Sequence, residues 1–252
     1  MIFLKSRAEI ETMRRANVIV AEVLQTLKET VKPGMTTLEL DELAERLTHE
    51  KGAKPAFKGY VVSGRMFKHS LCTSINEEIV HGIPSERVLA DGDILGMDFG
   101  VVYEGFYGDS AVTVGLGAVS PEAERLMRVT ETALNEGIEI LREGNRLGDL
   151  GNTIQGIAEE SGYSVVREFV GHGIGKKLHE EPPVPNYGDA GKGYRLRAGM
   201  VLAVEPMVNA GRKEIQVLDD GWTAVTRDRS LAAHFEHSIA ITADGPYVLS
   251  RL

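Results

Sequence analysis

Four carboxylates and one histidine interrupt apolar stretches that otherwise read as strands. They are Asp98 in GDILGMD, Asp109 in FYGDSAVT, His172 in REFVGHGIG, Glu205 in MVLAVEPMV and Glu236 in AAHFEHSIAIT. Taken singly, each acid is satisfied by an edge-strand surface or an arginine partner, and the histidine by a place in the core. Taken together they are not, because burying unpaired carboxylates costs several kcal/mol, and these strands supply no Lys or Arg on the same face. A pair of divalent cations ~3.5–4 Å apart, bridged by carboxylates, supplies the missing charge. The donor set is hard, rich in oxygen and free of thiolate. It favours Mn, Fe(II) or Co, with Zn also compatible, over a structural zinc site built on Cys and His. Such a pair brings the pKa of water towards neutrality and so provides a nucleophile for a carbonyl.

Asp98 and Asp109 belong to one element. MDFGVVYEGFYGDSAVTVG, residues 97–115, reads as a β-hairpin broken at Glu104-Gly105. Counted outward from that turn, the two acids fall either opposite each other or one diagonal step apart on facing strands. Like charges there repel unless a cation lies between them.

The elements that position these residues repeat. Ser6 and Glu9 form a capping box. Ile10, Met13, Val20, Val23, Leu24, Leu27 and Val31 follow at helical spacing, and Pro33-Gly34 ends the helix. A second helix is expected from about Leu38 to Lys51, stopping at Gly52. Ser120-Pro121 opens a third that runs towards Leu141 and Gly144. A fourth runs from about Leu147 to Glu160, stopping at Gly162. Gly34 and Gly144, Leu40 and Leu150, Leu47 and Ile157, and Gly52 and Gly162 are all separated by 110 positions. With a smaller offset, GDILGMD matches GMVLAVE, each an apolar strand ending in a carboxylate, and HGIP from His81 matches HGIG from His172. Two related αβ halves forming one sheet, with helices packed on it, account for this pattern.

The composition bounds the function. With 252 residues the chain is long enough for one large domain or two fused halves. A net charge of -9 argues against a nucleic-acid-binding surface. The single cysteine, Cys72, excludes an internal disulfide. MIFLKSRAEIE lacks the pattern of a secretory signal, and no stretch approaches ~18 uninterrupted apolar residues. A cytoplasmic protein without membrane contact is the expectation.

Over essentially its whole length the sequence resembles the type I methionine aminopeptidases of bacteria. The resemblance rests on KPAFKGY, CTSINEEIVHGIP, GDILGMDFGVVYEGFYGDSAVT, EFVGHGIG, LHEEPPVPNYG, GMVLAVEPM and DGWTAVTRDRSLAAHFEHSIAIT, in that order. It implies an α+β, pita-bread (creatinase/aminopeptidase-like) fold. That fold has two pseudo-twofold-related αβ halves forming one curved, mainly antiparallel sheet covered by helices. It also implies a single catalytic domain over 1–252, with halves at about 1–115 and 120–252. The implied activity is hydrolytic removal of the initiator methionine from nascent chains and peptides whose second residue is small. Carried over to this chain, Asp98 binds one of two divalent metals, Asp109 and Glu236 bridge both, and His172 and Glu205 serve the other. Glu205 is also the general base and acid. His81 contacts substrate near the scissile amide, and His179 hydrogen-bonds the carbonyl oxygen. Tyr60, Phe67, Cys72 and Trp222 are placed near the methionine pocket. Cys72 as a nucleophile is disfavoured, since the metals already supply one.

The pocket region departs from the family pattern. Between Tyr60 and Cys72 the chain reads VVSGRMFKHSL, about four residues longer than the usual connection, the excess falling at or near VVSG. In some relatives this loop helps to hold a monovalent cation, and such a site is carried here as an expectation. The resemblance further implies a monomer with transient ribosome contact. The chain begins Met-Ile, and an enzyme of this specificity leaves a methionine before isoleucine in place.

Two rivals remain. A proline-specific peptidase of the prolidase or aminopeptidase P kind shares the metal set, but those enzymes carry an N-terminal domain, and here the first helix is expected from about residue 7. The short connection from Glu205 to Glu236 also speaks against a type II methionine aminopeptidase. A non-catalytic binding module of the same fold typically loses metal ligands, and all five are present here.

Overall fold

The computed structural model describes residues 1–252. The four expected helices form within a residue or two of their sequence signals: α1 Arg7–Thr30, α2 Thr37–Glu50, α3 Pro121–Ile140 and α4 Leu147–Glu160. Ser6 and Glu9 cap α1 reciprocally, Thr36 and Glu39 do the same for α2, and Ser120 caps α3 ahead of Pro121. At α4 the Asp149 carboxylate takes the Arg146 backbone N–H at 2.7 Å. These contacts satisfy N–H groups that a helix start leaves free.

The strands of the first half are β1 Lys54–Pro55, β2 Val61–Val62, β3 Arg65–Met66, β4 Leu71–Ile75, β5 Glu78–Val80, β6 Ile94–Tyr103 and β7 Phe106–Gly115. After α4 come β8 Ser164–Val165, β9 Gly171–Gly173, β10 Glu180–Val184, β11 Val201–Val204 and β12 Met207–Asn209. The last are β13 Ile215–Val217, β14 Ala224–Thr226, β15 Ala232–His234, β16 His237–Thr242 and β17 Gly245–Val248. Every pairing between named strands is antiparallel. β6 pairs with β7 along its whole length on one side and with β4 and β1 on the other. The second half contributes a sheet in the order β10-β9-β11-β16-β17. The two meet where Ala111 of β7 bridges to Glu236, just before β16. There the Glu236 N–H donates to the Ala111 carbonyl at 2.9 Å.

The internal repeat is visible in the hydrogen bonds. Gly34 N–H donates to Leu89 O and Leu89 N–H to Met35 O; the counterparts are Gly144 N–H to Leu196 O and Leu196 N–H to Asn145 O. Thr36 bridges Val88 as Arg146 bridges Arg195. Gly34 and Gly144 both adopt left-handed backbone, φ 93° and 100°, which glycine enters without penalty. The pseudo-twofold halves read from spacing therefore share their turns as well as their helices.

Each helix pair buries its apolar stripe on its own half of the sheet. Val20, Val23, Leu24 and Leu27 of α1 pack with Leu95, Met97, Phe99 and Val101 of β6. Leu126, Leu134 and Ile138 of α3 pack with Leu202 and Val204 of β11 and with Ile239 and Ile241 of β16. Each fully buried Leu or Ile contributes ~1.5–3 kcal/mol. α1 also reaches the site directly. At Gly108 the helix lies so close that a β-carbon would stand 2.9 Å from backbone atoms of Ala16 and Asn17. This approach lets the buried Asn17 amide oxygen accept the Asp109 N–H at 3.2 Å.

Candidate metal centre and substrate cavity

Asp98 lies opposite Ala111 across β6–β7, and Asp109 opposite Gly100. The two acids are therefore on the diagonal, one of the two arrangements their spacing allowed. Gly100 leaves room beside Asp109, since a β-carbon there would come within 3.2 Å of Oδ1. His172 is central in β9, opposite Ala203 of β11. Glu205 follows the last residue of β11, and Glu236 lies in the break between β15 and β16. These two acids sit at strand ends rather than inside strands, which turns their side chains inward where the two halves meet.

The five residues line one cavity of about 280 Å³. Ligand atoms of Asp109, His172 and Glu236 all lie within 4.8 Å of one another. His172 Nε2 is 3.9 Å from Asp109 Oδ2 and 3.5 Å from Glu205 Oε1. Asp98 Oδ1, Asp109 Oδ1 and Glu236 Oε1 are buried without any hydrogen-bond partner. Native proteins rarely leave such atoms orphaned, and three carboxylate oxygens in this condition fit a bound cation.

The electrostatics agree. Burial pushes Asp98 up to about 7. Burial, followed by repulsion from neighbouring acids, pushes Asp109, Glu205 and Glu236 well above the usual carboxylate range. Burial, and then His179, holds His172 down to about 3, so its imidazole is neutral. Its Nδ1 lies 2.9 Å from the Gly173 carbonyl, to which a neutral ring donates. That fixes the tautomer and leaves the Nε2 lone pair facing the carboxylates, the form in which histidine binds metal. Backbone atoms of the acids are pinned as well. Ser238 Oγ donates to Asp109 O at 2.9 Å, and Ser110 Oγ to Glu236 O at 2.6 Å.

The expected substrate residues join the same cavity. His81, His179, Tyr60, Phe67, Cys72 and Trp222 all line it. His81 has left-handed backbone, φ 61°, a sparsely populated state that non-glycine residues hold mainly where surrounding structure enforces it. Its ring stands edge-on to Phe169 at 5.3 Å, and burial followed by His179 holds it down to about 4. His179 Nδ1 lies 2.6 Å from the Tyr60 hydroxyl. Phe67 and Trp222 meet edge-to-face at 5.2 Å. Cys72 lies opposite Asp98 in the β4–β6 ladder, and burial, followed by Asp98, pushes its thiol well up. A protonated thiol is a poor nucleophile.

Sequence reasoning missed part of the wall, including Phe57, Val80, Phe169, Leu178 and Val217. It also missed Asn17, although a signal was there: Asn17 falls on the apolar stripe between Met13 and Val20, where a polar residue needs a partner. Asp41 is similar, a buried acid on α2. Its Oδ1 accepts the Ser70 and Leu71 N–H groups at 2.7 and 2.9 Å, and its Oδ2 meets His69 Nδ1 at 2.8 Å. It thereby sets the start of β4, which carries Cys72.

Comparison with known proteins identifies this arrangement. Residues 11–243 match the model of metallopeptidase family M24. The chain is 51% identical to a methionine aminopeptidase of Clostridium perfringens over 250 residues, 99% of either chain. It superposes on the crystal structure of a methionine aminopeptidase from Thermotoga maritima with a TM-score of 0.97, 44% identity and full coverage of both chains. A prolidase from Pyrococcus horikoshii shares the fold at a TM-score of 0.75 and 24% identity, with the match spanning 63% of that chain. No helix is long and apolar enough to cross a membrane. The chain belongs to metallopeptidase family M24, within its methionine aminopeptidases, and is a metal-using aminopeptidase.

Proposed function

We propose that this protein removes methionine from the N-termini of newly made chains and peptides whose second residue is small. The observation that carries this reading is the continuity of the cavity: an acidic cluster at its inner end and an apolar wall of Tyr60, Phe67, Cys72 and Trp222 share one space. An unbranched apolar side chain suits that wall, and the free amine of its residue suits the acids.

In this reading Asp98, Asp109, His172, Glu205 and Glu236 would hold two divalent ions. Mn, Fe(II) and Co suit the donor set best. When bound, the ions polarise the scissile carbonyl and acidify a water. Glu205, at the strand end beside His172, would serve as the general base and then, as general acid, protonate the leaving amine. His179 is neutral because burial lowers its pKa. Burial, followed by Tyr107, raises the Tyr60 phenol, which stays protonated and is able to donate to Nδ1 of His179. When it does, the imidazole proton resides on Nε2, available to the carbonyl oxygen as negative charge develops. His81, also neutral, accepts or donates at the scissile amide. The same reading places the protein in the cytoplasm as a monomer meeting N-termini as they leave the ribosome.

The test is peptide hydrolysis by metal-stripped protein with Mn, Co or Fe(II) restored. The substrates are Met-Ala-Ser, Met-Leu-Ser and Ala-Pro-Ser, with Glu205→Gln as control. Metal-dependent methionine release from the first peptide alone, lost in the variant, is the expected result. Cleavage of Ala-Pro-Ser instead would transfer the site to the proline-specific branch.

A further inference from the structure

The hairpin of β2 and β3 coincides with the lengthened VVSGRMF connection. Val61 pairs with Met66 and Val62 with Arg65. Ser63 and Gly64 close the turn with φ 49° and 79°, the left-handed pair of a type I′ turn. The ladder continues below the strands, where Phe67 N–H donates to Tyr60 O and Gly59 N–H to Phe67 O, both at 2.8 Å. Val61, Val62 and Met66 are 54%, 46% and 57% exposed. A two-stranded hairpin this exposed is marginal by itself, so something else holds it in place.

Arg65 does so. Its guanidinium occupies the space over Gly221 that a β-carbon would need. Gly221 lies in the turn between β13 and β14, where the Asp220 carboxylate accepts N–H groups from Trp222 at 2.7 Å and Thr223 at 2.9 Å. The hairpin is thereby docked on the turn that carries Trp222. As a result Val62 and Val217, from two different hairpins, both line the cavity that holds the acidic cluster. Val217 is 45% exposed, whereas Asp109 and Glu236 are 4% and 2% exposed, so the two valines form the outer end of that cavity.

Tyr60 and Val62 are two residues apart on extended chain, and both line the cavity while Val61 does not. Side chains of an extended peptide alternate in the same way, two residues advancing ~6.6 Å. A substrate whose first side chain rests on Tyr60 turns its third side chain to the same wall, two residues further out, where Val62 stands. We infer that Val62 and Val217 form an apolar subsite for the third residue of the substrate peptide, which makes this enzyme favour substrates with an apolar residue there. The inference rests on the reading of the cavity as the site of methionine release.

The test compares Met-Ala-Leu-Gly with Met-Ala-Asn-Gly, whose third side chains match in size and differ in polarity. The assay uses the full chain loaded with Mn. The wild type should favour leucine by about fivefold in kcat/KM, carried mainly by KM, as expected for a half-open apolar contact. Val62→Ser and Val217→Ser should each bring that ratio to about twofold or less, and Val62→Ile should retain it. A wild-type ratio near one, or a ratio that survives both serine variants, overturns the subsite. Release of methionine from neither peptide by the wild type overturns the site assignment on which it rests.

Discussion

The Tyr60 hydroxyl and Nδ1 of His179 are 2.6 Å apart, although 119 positions separate them in sequence. This contact joins the apolar wall of the cavity to the histidine nearest His172, whose ring centroid is 4.3 Å from that of His179. With the imidazole proton on Nε2, as the proposed role of His179 at the carbonyl oxygen requires, the phenol donates to Nδ1. Tyr60→Phe retains the ring against the wall and deletes only the donor. The expected result is a fall in kcat of about tenfold with KM changed less than about twofold, the pattern of an interaction felt in the transition state. Steady-state kinetics on Met-Ala-Ser decide it. A rise in KM with kcat unaltered would reduce Tyr60 to a piece of pocket wall.

The pKa shifts in the acidic cluster predict how the metal-free protein responds to pH. For an acid whose folded pKa is raised, the folded state binds more protons than the unfolded state, so stability falls as pH rises between the two values. Asp98, raised to about 7, and Asp109, Glu205 and Glu236, raised well above the usual carboxylate range, all first by burial, place that loss from ~4 upward. Buried His172, at about 3, and His81, at about 4, act oppositely, adding stability as pH rises towards 6.5 and nothing above it. Between about pH 6.5 and 7, the value to which Asp98 is raised, only the acids contribute, with up to ~1.4 kcal/mol per pH unit for each proton released. The melting temperature in chelator should therefore fall across that window. Saturating Mn should reverse the slope, because metal binding expels the same protons and tightens as pH rises. Calorimetry at both ends of the window, with and without Mn, checks it; a flat or rising profile in chelator would sink the argument.

Glu236 separates function from stability at a single position. Its backbone makes the bridge to Ala111, while its side chain is buried with Oε1 unpartnered. Glu236→Gln keeps the shape and the bridge and replaces a carboxyl that burial forces to take up a proton on folding with an amide that is neutral throughout. Metal-free protein should gain about 1–3 kcal/mol, while metal-supported activity falls at least about a hundredfold. Urea unfolding in chelator and peptide hydrolysis in Mn measure the two effects. Loss of both together would mark Glu236 as scaffold rather than ligand.

Much of this site could be read before the fold was seen, for an identifiable reason. Asp98, Asp109, His172, Glu205 and Glu236 each break an apolar run, and a polar residue on a buried face demands a partner. Helix starts at Ser6 and Ser120 and stops at Gly34 and Gly144 are local signals, so they survived into the structure unchanged. The departures lie where side chains meet across long sequence distances. Nothing local in VVSGRMF says that Arg65 will rest on Gly221, and nothing in LHEEP says that Tyr60 will reach His179. The placement of Glu205 and Glu236 beyond strand ends depends on how two sheets join, which hydropathy alternation does not encode.

The last prediction concerns Lys5, which no sequence motif singled out. Its Nζ lies 2.7 Å from Glu180 Oε2, and the two side chains are only 6% and 7% exposed. The Lys5 N–H is also fixed to the Gly199 carbonyl at 2.7 Å. Gly175 permits the packing, since a β-carbon there would stand 2.6 Å from both Glu180 Oε1 and Lys5 Cε. Glu180 follows His179 directly and opens β10, so the ion pair ties the start of the chain to the segment that presents His179. Lys5→Met leaves the Glu180 carboxylate buried and unpaired, at a cost of about 3–5 kcal/mol. Lys5→Met combined with Glu180→Leu removes both charges and should recover most of that stability, because an apolar pair of similar volume replaces a buried ion pair at little cost. Activity should not recover with it. If the pair positions His179, the double variant melts near the wild type yet keeps a kcat reduced about tenfold, as expected for a misplaced oxyanion donor. A double variant with wild-type kcat would show that Lys5 and Glu180 hold the fold together and leave His179 to Tyr60 alone.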